Sequence, residues 1–146
     1  MADTRELSVA DCEALLRSGV AGRVAISTPM GPHIVPVNYS VVGDAIIVRT
    51  SPYSLLGTYA RDTLLAFEID GFDPGRERGW SVQARGRVEF VSDRADLELI
   101  REVSEPQPWA GGARSLYLRL RWTELSGRQL GHDWSPVADT VARSAV

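Results

Sequence analysis

The residues best suited to chemistry in this chain lie where an apolar run meets the polar segment Arg49-Thr50-Ser51-Pro52. Ser51 has the chemistry of a helix N-cap, and Pro52 suits the first helical position because its missing N–H is no loss there. Helical spacing continues to Ala60. Free backbone N–H groups at a helix start, beside a guanidinium, favour an anion such as a phosphate. A capped turn with Arg49 in a surface ion pair is the alternative that this fragment leaves open.

The amino-acid composition limits the kinds of functional site that this chain can contain. The net charge of −3, with 44% hydrophobic and 24% charged residues, is typical of a soluble globular protein, and a nucleic-acid surface is not the default. All 16 basic residues are arginine, which excludes a Schiff-base lysine and a P-loop lysine. The single Cys12 and the distant His33 and His132 predict no disulfide and no metal site. With no signal peptide or membrane span in the sequence, a cytoplasmic location is expected.

The hydrophobic pattern predicts antiparallel strands closed into a barrel. A helix capped by Ser8 is expected at 8–18, and a second long helix at 93–103. Strands are expected at 21–27, 32–41, 45–50, 64–70, 80–90 and from 116 onward, with a polar loop at 71–79. Pro36 belongs at a strand edge or bulge, and Gly86 on an apolar strand face predicts close packing or a barrel bend. One domain, 1–130, is followed by a C-terminal tail, 131–146, expected to be extended or loosely docked.

Seven short segments, in order, resemble the pyridoxamine 5′-phosphate oxidase-like family of flavin-binding split-barrel proteins. They are Gly22–Ala25, Ile34–Tyr39, Val48–Thr50, Ala66–Asp70, Gly79–Val82, Pro108–Ala110 and Ser126–Arg128. The resemblance covers about residues 21–130. It implies a mainly β (α+β) fold, a six-stranded antiparallel Greek-key split β-barrel with flanking helices. It also implies a homodimer that binds FMN in two clefts at its interface.

The same resemblance implies a set of cofactor-binding residues. The phosphate is expected on Arg49, Thr50, Ser51 and Ser54. The flavin ring is expected along Val35, Pro36, Val37 and Asn38. Trp80 and Ser81 are expected to approach the ring or ribityl chain from the same or the partner subunit, and Trp109 to lie near the mouth of the cleft.

The chain departs from the family pattern at one position. Many relatives follow Arg-Thr with a Gly-Ser/Thr-Lys segment, whose lysine helps neutralise the phosphate. This chain has Tyr53-Ser54-Leu55 there, so the second cation is replaced by Leu55. A lost charge-assisted contact to phosphate weakens binding by about 1.5–3 kcal/mol, and Tyr53 could fill the phosphate's space. The sequence leaves three possibilities for FMN: it is bound weakly, it is bound through another arginine, or it is not bound.

Three functions remain open from the sequence. The first is an FMN-dependent oxidoreductase acting on a small-molecule substrate that the sequence does not identify. The second is a reductase that uses the deazaflavin coenzyme F420, whose polyanionic tail would need a basic groove such as Arg85, Arg87, Arg119 and Arg121. The favoured explanation of those arginines is that they form solvated barrel faces with Glu89 and Glu124. The third is a non-enzymatic binder of flavin, haem or another small ligand, with His33 as a candidate haem ligand.

Overall fold

A computed structural model describes residues 2–145 of the chain. It contains seven strands and four helices within that range. The strands are β1 (Thr4–Glu6), β2 (Ala21–Thr28), β3 (Gly31–Val42), β4 (Ala45–Thr50), β5 (Leu64–Asp73), β6 (Arg78–Val91) and β7 (Leu116–Leu130). The helices are α1 (Val9–Ser18), α2 (Leu55–Tyr59), α3 (Arg94–Val103) and α4 (Pro136–Ser144).

Six of the strands close into a ring of antiparallel pairs. The order around the ring is β7-β4-β3-β2-β5-β6, and β6 pairs again with β7. The short β1 adds to the far end of β7, where Thr4 faces Leu130. The β3–β4 hairpin and the crossover that carries β5 to the side of β2 give the sheet its Greek-key order. The predicted six-stranded split barrel is therefore confirmed, with β1 as an added seventh strand.

The barrel is filled by alternating apolar side chains. Ile46, Phe67 and Val82 from three different strands are at most 1% exposed. Helix α1 adds Leu15 and Leu16, which are equally buried, to the same cluster. The predicted cap of α1 is confirmed, because the Ser8 hydroxyl accepts the backbone N–H of Asp11. This core fixes the positions of the strand ends that carry the site.

Gly86 lies at an irregular point of the β6–β7 pairing. The register shifts between Arg85 and Gly86, and a Cβ at Gly86 would overlap the backbone carbonyl of Arg121. The close packing predicted at this glycine is confirmed. The two backbones approach too closely there for any side chain, and such a bulge bends the strand into the barrel.

Pro36 lies on the open edge of β3. Residues 31–38 of β3 pair with β2, whereas the pairing with β4 begins only at Tyr39. On the side of β3 that faces away from β2, Pro36 has no neighbouring strand with which an N–H could bond. Its position agrees with the prediction that it lies at a strand edge. The same open edge leaves backbone N–H and C=O groups of β3 without a strand neighbour within residues 2–145.

Two expectations about irregular segments are wrong. The polar stretch at 71–79 is mostly strand, since β5 continues to Asp73 and β6 begins at Arg78, leaving only a tight turn. The C-terminal segment is neither extended nor loose, because residues 136–144 form α4. Ser135 caps that helix, Pro136 is buried, and Val137 packs on the main core. Both segments are rich in small and polar residues, so their hydrophobic pattern is too weak to predict the strand ends at 71–79 or helix α4.

Candidate functional site

A cavity of about 490 Å³ lies between the open edge of β3, the end of β4 and the loop 104–115. This volume is in the range of small-molecule sites. Val35, Val37 and Leu55 supply apolar walls, whereas Arg49 and Arg114 supply charge. None of the lining residues is acidic. The cavity therefore suits a ligand that has a flat apolar body and an anionic end.

Predicted residues from three segments of the chain meet in this cavity. Eight of the eleven line it: Val35, Pro36, Val37, Asn38, Arg49, Thr50, Ser54 and Trp109. The β4 end and the β3 edge lie together because the two strands pair as a hairpin, with Tyr39 opposite Val48. The remaining three, Ser51, Trp80 and Ser81, are not among the lining residues.

The hydroxyl groups at the end of β4 form a closed network. Ser54 caps the short helix α2 by accepting the N–H of Gly57 at 3.0 Å. Its hydroxyl also lies 2.6 Å from that of Thr50 and donates to the Ser51 carbonyl at 2.8 Å. The prediction of Ser51 as N-cap and Pro52 as first helical residue is wrong, because α2 begins only at Leu55. Gly57 makes the later start possible, since a Cβ there would clash with the Ser51 carbonyl.

Arg49 is held by the loop 104–115. Its Nε donates to the backbone carbonyl of Arg114 at 3.3 Å, and its Nη1 lies 3.5 Å from the carboxylate of Glu105. Its guanidinium also lies 5.1 Å from the ring centroid of Tyr117, its register partner on β7. An ion pair of Arg49 is thus present, although it is largely buried and not at the surface, and anion binding by Arg49 stays a prediction. Arg49 lines the cavity and is also ion-paired.

Asn38 binds the same loop near its middle, at Trp109. The Asn38 side-chain carbonyl accepts the backbone N–H of Trp109 at 2.9 Å, and its amide donates to the Val20 carbonyl at 3.2 Å. The Trp109 side chain is 74% exposed beside the cavity. Asn38 therefore positions the aromatic residue at the mouth, as the family resemblance implied for Trp109.

Trp80 and Ser81 lie elsewhere in the same chain. Trp80 lines a smaller cavity of about 130 Å³ beside Trp134, under helix α4. Ser81 pairs with Asp70 on β5 and Arg128 on β7. Their predicted approach to a flavin stays a prediction.

The two residues at the family departure have different positions. Leu55 lines the cavity, as expected for the position that carries a lysine in relatives. Tyr53 is 94% exposed and is absent from the lining, so the expectation that it could fill the phosphate's space is wrong. The cavity is therefore open at this end, but Leu55 gives it no charge.

Three of the four arginines suggested as a basic groove are paired with acids, and the fourth bonds a backbone carbonyl. Arg119 and Arg121 both contact the Glu89 carboxylate, at 3.0 and 3.1 Å. Arg85 pairs with Glu124 at 3.0 Å, and Arg87 donates to the Asp62 carbonyl at 2.7 Å. The hydrogen bonds from Arg119 and Arg121 lower the pKa of Glu89 below its ordinary value. These contacts fit the solvated-face interpretation and weigh against a polyanion groove there.

Within residues 2–145, no three His, Cys, Asp or Glu side chains converge in a way that could hold a metal ion. Over the same residues, no helix has both the length and the apolar character needed to cross a membrane.

Sequence reasoning missed two charged residues of the site, Glu105 and Arg114. Both lie in the polar loop 104–115, where neither strand nor helix periodicity gives a signal. Their neighbourhood with Arg49 follows from the β4–β7 pairing, which places Thr50 opposite Leu116. A strand register connects residues more than fifty positions apart, and a single sequence does not reveal it.

Comparison with known proteins identifies the family. The sequence model described as pyridoxamine 5′-phosphate oxidase matches residues 8–129. The chain belongs to the pyridoxamine 5′-phosphate oxidase family. The resemblance drawn from the short segments is thereby confirmed.

Relatives within this family extend over most of the chain. The uncharacterized protein Rv0080 of Mycobacterium tuberculosis is 32% identical over 133 residues, covering 88% of this chain and 86% of the relative. The solved FAD-binding protein from Mycobacterium smegmatis is 30% identical with a TM-score of 0.73, covering 86% of this chain and 97% of that protein. The FAD-binding protein of Mesorhizobium loti, at 22% identity and a TM-score of 0.71, covers 88% and 99% and shares the fold.

Proposed function

We propose that the protein binds a flavin nucleotide in the 490 Å³ cavity and is a flavin-dependent oxidoreductase acting on a small molecule. The observation that carries the proposal is the cavity itself, which has apolar walls at β3 and two arginines without a lining acid at its other end. The FAD-binding relative from Mycobacterium smegmatis supports a flavin as the ligand. A bound flavin supplies the hydride and electron chemistry, so no protein nucleophile is needed.

The chain's own residues have binding and orienting roles in this proposal. Val35, Pro36 and Val37 lie along the flavin ring, and the unpaired backbone groups of the β3 edge offer it hydrogen bonds. Arg49, Thr50 and Ser54 face the phosphate end, where charge-assisted hydrogen bonds are strongest. Asn38 positions Trp109 over the mouth of the cavity, and the exposed indole shields the site from water.

We further propose that the flavin is FMN, bound in a homodimer with both clefts at the interface. Exposed apolar side chains beside the cavity support self-association, since Ile34 is 72% and Trp109 74% exposed. A second subunit would also give Trp80 and Ser81 a route to the ligand. Sedimentation at micromolar concentration tests the dimer, and a purely monomeric protein would contradict it.

Titration of the cofactor-free protein with flavins tests the function. We expect FMN or FAD to bind with quenched fluorescence, and the bound flavin to be reduced by a nicotinamide donor and reoxidised. Arg49→Gln should weaken nucleotide binding by about ten- to a hundredfold, the effect of one charge-assisted hydrogen bond. Arg94→Gln, the same change of charge at a side chain that is 93% exposed on α3, is the matched control.

Four outcomes would contradict the proposal in different ways. A protein that takes up neither FMN nor FAD would remove the flavin function. Selective uptake of the deazaflavin F420 would favour the reductase alternative, and a Soret band would favour a haem binder. Flavin that binds tightly but is never reduced by any donor would leave a binding protein without the oxidoreductase activity.

A further inference from the structure

The polar side chains that line the cavity differ in how far the protein already satisfies them. Asn38 bonds the backbone of Val20 and Trp109. Thr50 and Ser54 bond each other, and Arg49 bonds the loop carbonyl and Glu105. These four residues are thus engaged inside the protein. A ligand must compete with those contacts before it can use them.

Arg114 is the exception. Its side chain lines the cavity, yet it makes no hydrogen bond or ion pair with any of residues 2–145. Its Nε–H is buried without an acceptor. A buried donor without a partner costs free energy, and a guanidinium carries five donors in a planar fork that matches a phosphate. Arg114 therefore has a hydrogen-bond donor that is available to an acceptor on a ligand in the cavity.

The position of Arg114 next to Arg49 is fixed by backbone contact. Arg49 Nε donates to the Arg114 carbonyl at 3.3 Å, so the two arginines occupy the same end of the cavity. The only carboxylate within 4.0 Å of either guanidinium, among residues 2–145, is Glu105 beside Arg49. One acid against two cations leaves this end with a positive charge.

We propose that Arg114 is the principal anion-binding residue of the cavity and supplies the second cation of the phosphate site, which the chain lacks at Leu55. The inference rests on the proposed function for the identity of the ligand, the phosphate of a flavin nucleotide. The planar fork of a guanidinium offers an Nε–H and a terminal N–H that match two oxygens of one phosphate, so Arg114 has the donors that such a ligand needs. Arg49, held by Glu105, makes the weaker contribution.

A comparison of three probes isolates the phosphate contribution. Wild type and Arg114→Gln are titrated with FMN, with riboflavin, which lacks the phosphate, and with inorganic phosphate followed by ³¹P resonance. Arg114→Gln should bind FMN and phosphate about ten- to a hundredfold more weakly, with riboflavin affinity unchanged. The loss should exceed that of Arg49→Gln. Arg94→Gln, far from the cavity lining, should bind all three probes as wild type does.

Moving the charge to another residue of the cavity lining provides a second test. In Arg114→Gln/Leu55→Lys the cation returns at residue 55, which also lines the cavity, and FMN affinity should recover most of its loss. The recovery should shrink as salt rises, because the restored contact is ionic. Unchanged riboflavin binding shows that each variant is folded, because riboflavin lacks the phosphate and does not use the substituted residue. If Arg114→Gln does not fold, Arg114→Lys replaces it and should bind phosphate severalfold more weakly than wild type, because lysine lacks the planar fork.

The outcomes separate this proposal from the flavin function. Phosphate binding that depends on Arg114 in a protein that takes up no flavin would leave the anion site standing and remove the flavin proposal. Normal FMN and phosphate binding by Arg114→Gln, or by Arg114→Lys, would overturn the role of Arg114 while the flavin function stands. A wild-type protein that binds flavin but no phosphate, with equal affinity for FMN and riboflavin, would also overturn it.

Discussion

Arg49 and Glu105 form an ion pair at the end of the cavity where we propose that phosphate binds, with 3.5 Å between guanidinium and carboxylate. The Tyr117 hydroxyl also donates to the same carboxylate, which holds Glu105 in place. Both ionic side chains are about three-quarters buried. An anion that reaches Arg49 must therefore displace or share Glu105. The carboxylate acts as an internal competitor of the ligand.

Glu105→Gln should tighten FMN binding. The new amide keeps an oxygen for the Tyr117 hydroxyl, but the substitution removes the negative charge that competes for Arg49. A partly exposed pair of this kind is worth about 0.2–1 kcal/mol, so the gain should be about two- to fivefold. Fluorescence titration measures it, with Glu98→Gln on the exposed face of α3 as the charge-matched control. Unchanged or weaker binding would show that Glu105 mainly orients Arg49.

Leu55→Lys should also tighten FMN binding, by adding a cation to the lining of the cavity. The gain should fall as salt rises, since the added term is ionic. It should be smaller in the wild-type background than in Arg114→Gln, because one phosphate offers a limited number of oxygens. Leu99→Lys, on α3 and away from this cavity, is the control. Equal gains in both backgrounds would mean that residues 55 and 114 bind different parts of the ligand.

Gly86→Ala should destabilise the barrel. The new Cβ overlaps the Arg121 carbonyl, which belongs to the backbone and has no rotamer through which to move away. We expect a loss of about 1–3 kcal/mol in the free energy of unfolding, the usual range for overpacking. Urea denaturation measures it. Gly111→Ala, where a Cβ meets nothing within 4 Å, should change stability little, and equal effects of the two substitutions would contradict the close approach.

Glu89 should contribute a stability that depends on pH. Hydrogen bonds from Arg119, and then from Arg121, lower the pKa of Glu89 in the folded state. A lowered carboxyl pKa stabilises the folded state above the unfolded-state value, and this contribution is lost as pH falls through the folded-state pKa. Glu89→Gln should therefore be less stable than wild type near neutral pH, with the difference vanishing in acid. Urea unfolding from neutral pH down into the acid range measures it, and a difference that stays constant with pH would contradict the assignment.

The local elements of this fold are determined by the sequence itself. The strand at Ala45–Thr50 and the helix capped by Ser8 have the expected bounds, because alternation and capping are short-range properties. The special residues Pro36 and Gly86 also have the predicted roles, since each restricts the backbone by its own chemistry. The ordered segments indicated the family, and through it most residues of the cavity. These features need only neighbours a few positions apart.

Tertiary structure decided the rest. The burial of Pro136 and the packing of Val137 dock helix α4 on the main core, and Gly57 of α2 lies so close to the Ser51 carbonyl that a Cβ there would clash. Arg114 gives no local signal in its polar loop. It reaches Arg49 only because the register of β4 against β7 brings the two segments together. Interactions between residues distant in sequence are set by the packing of the whole barrel, and that packing placed the unpartnered arginine in the cavity.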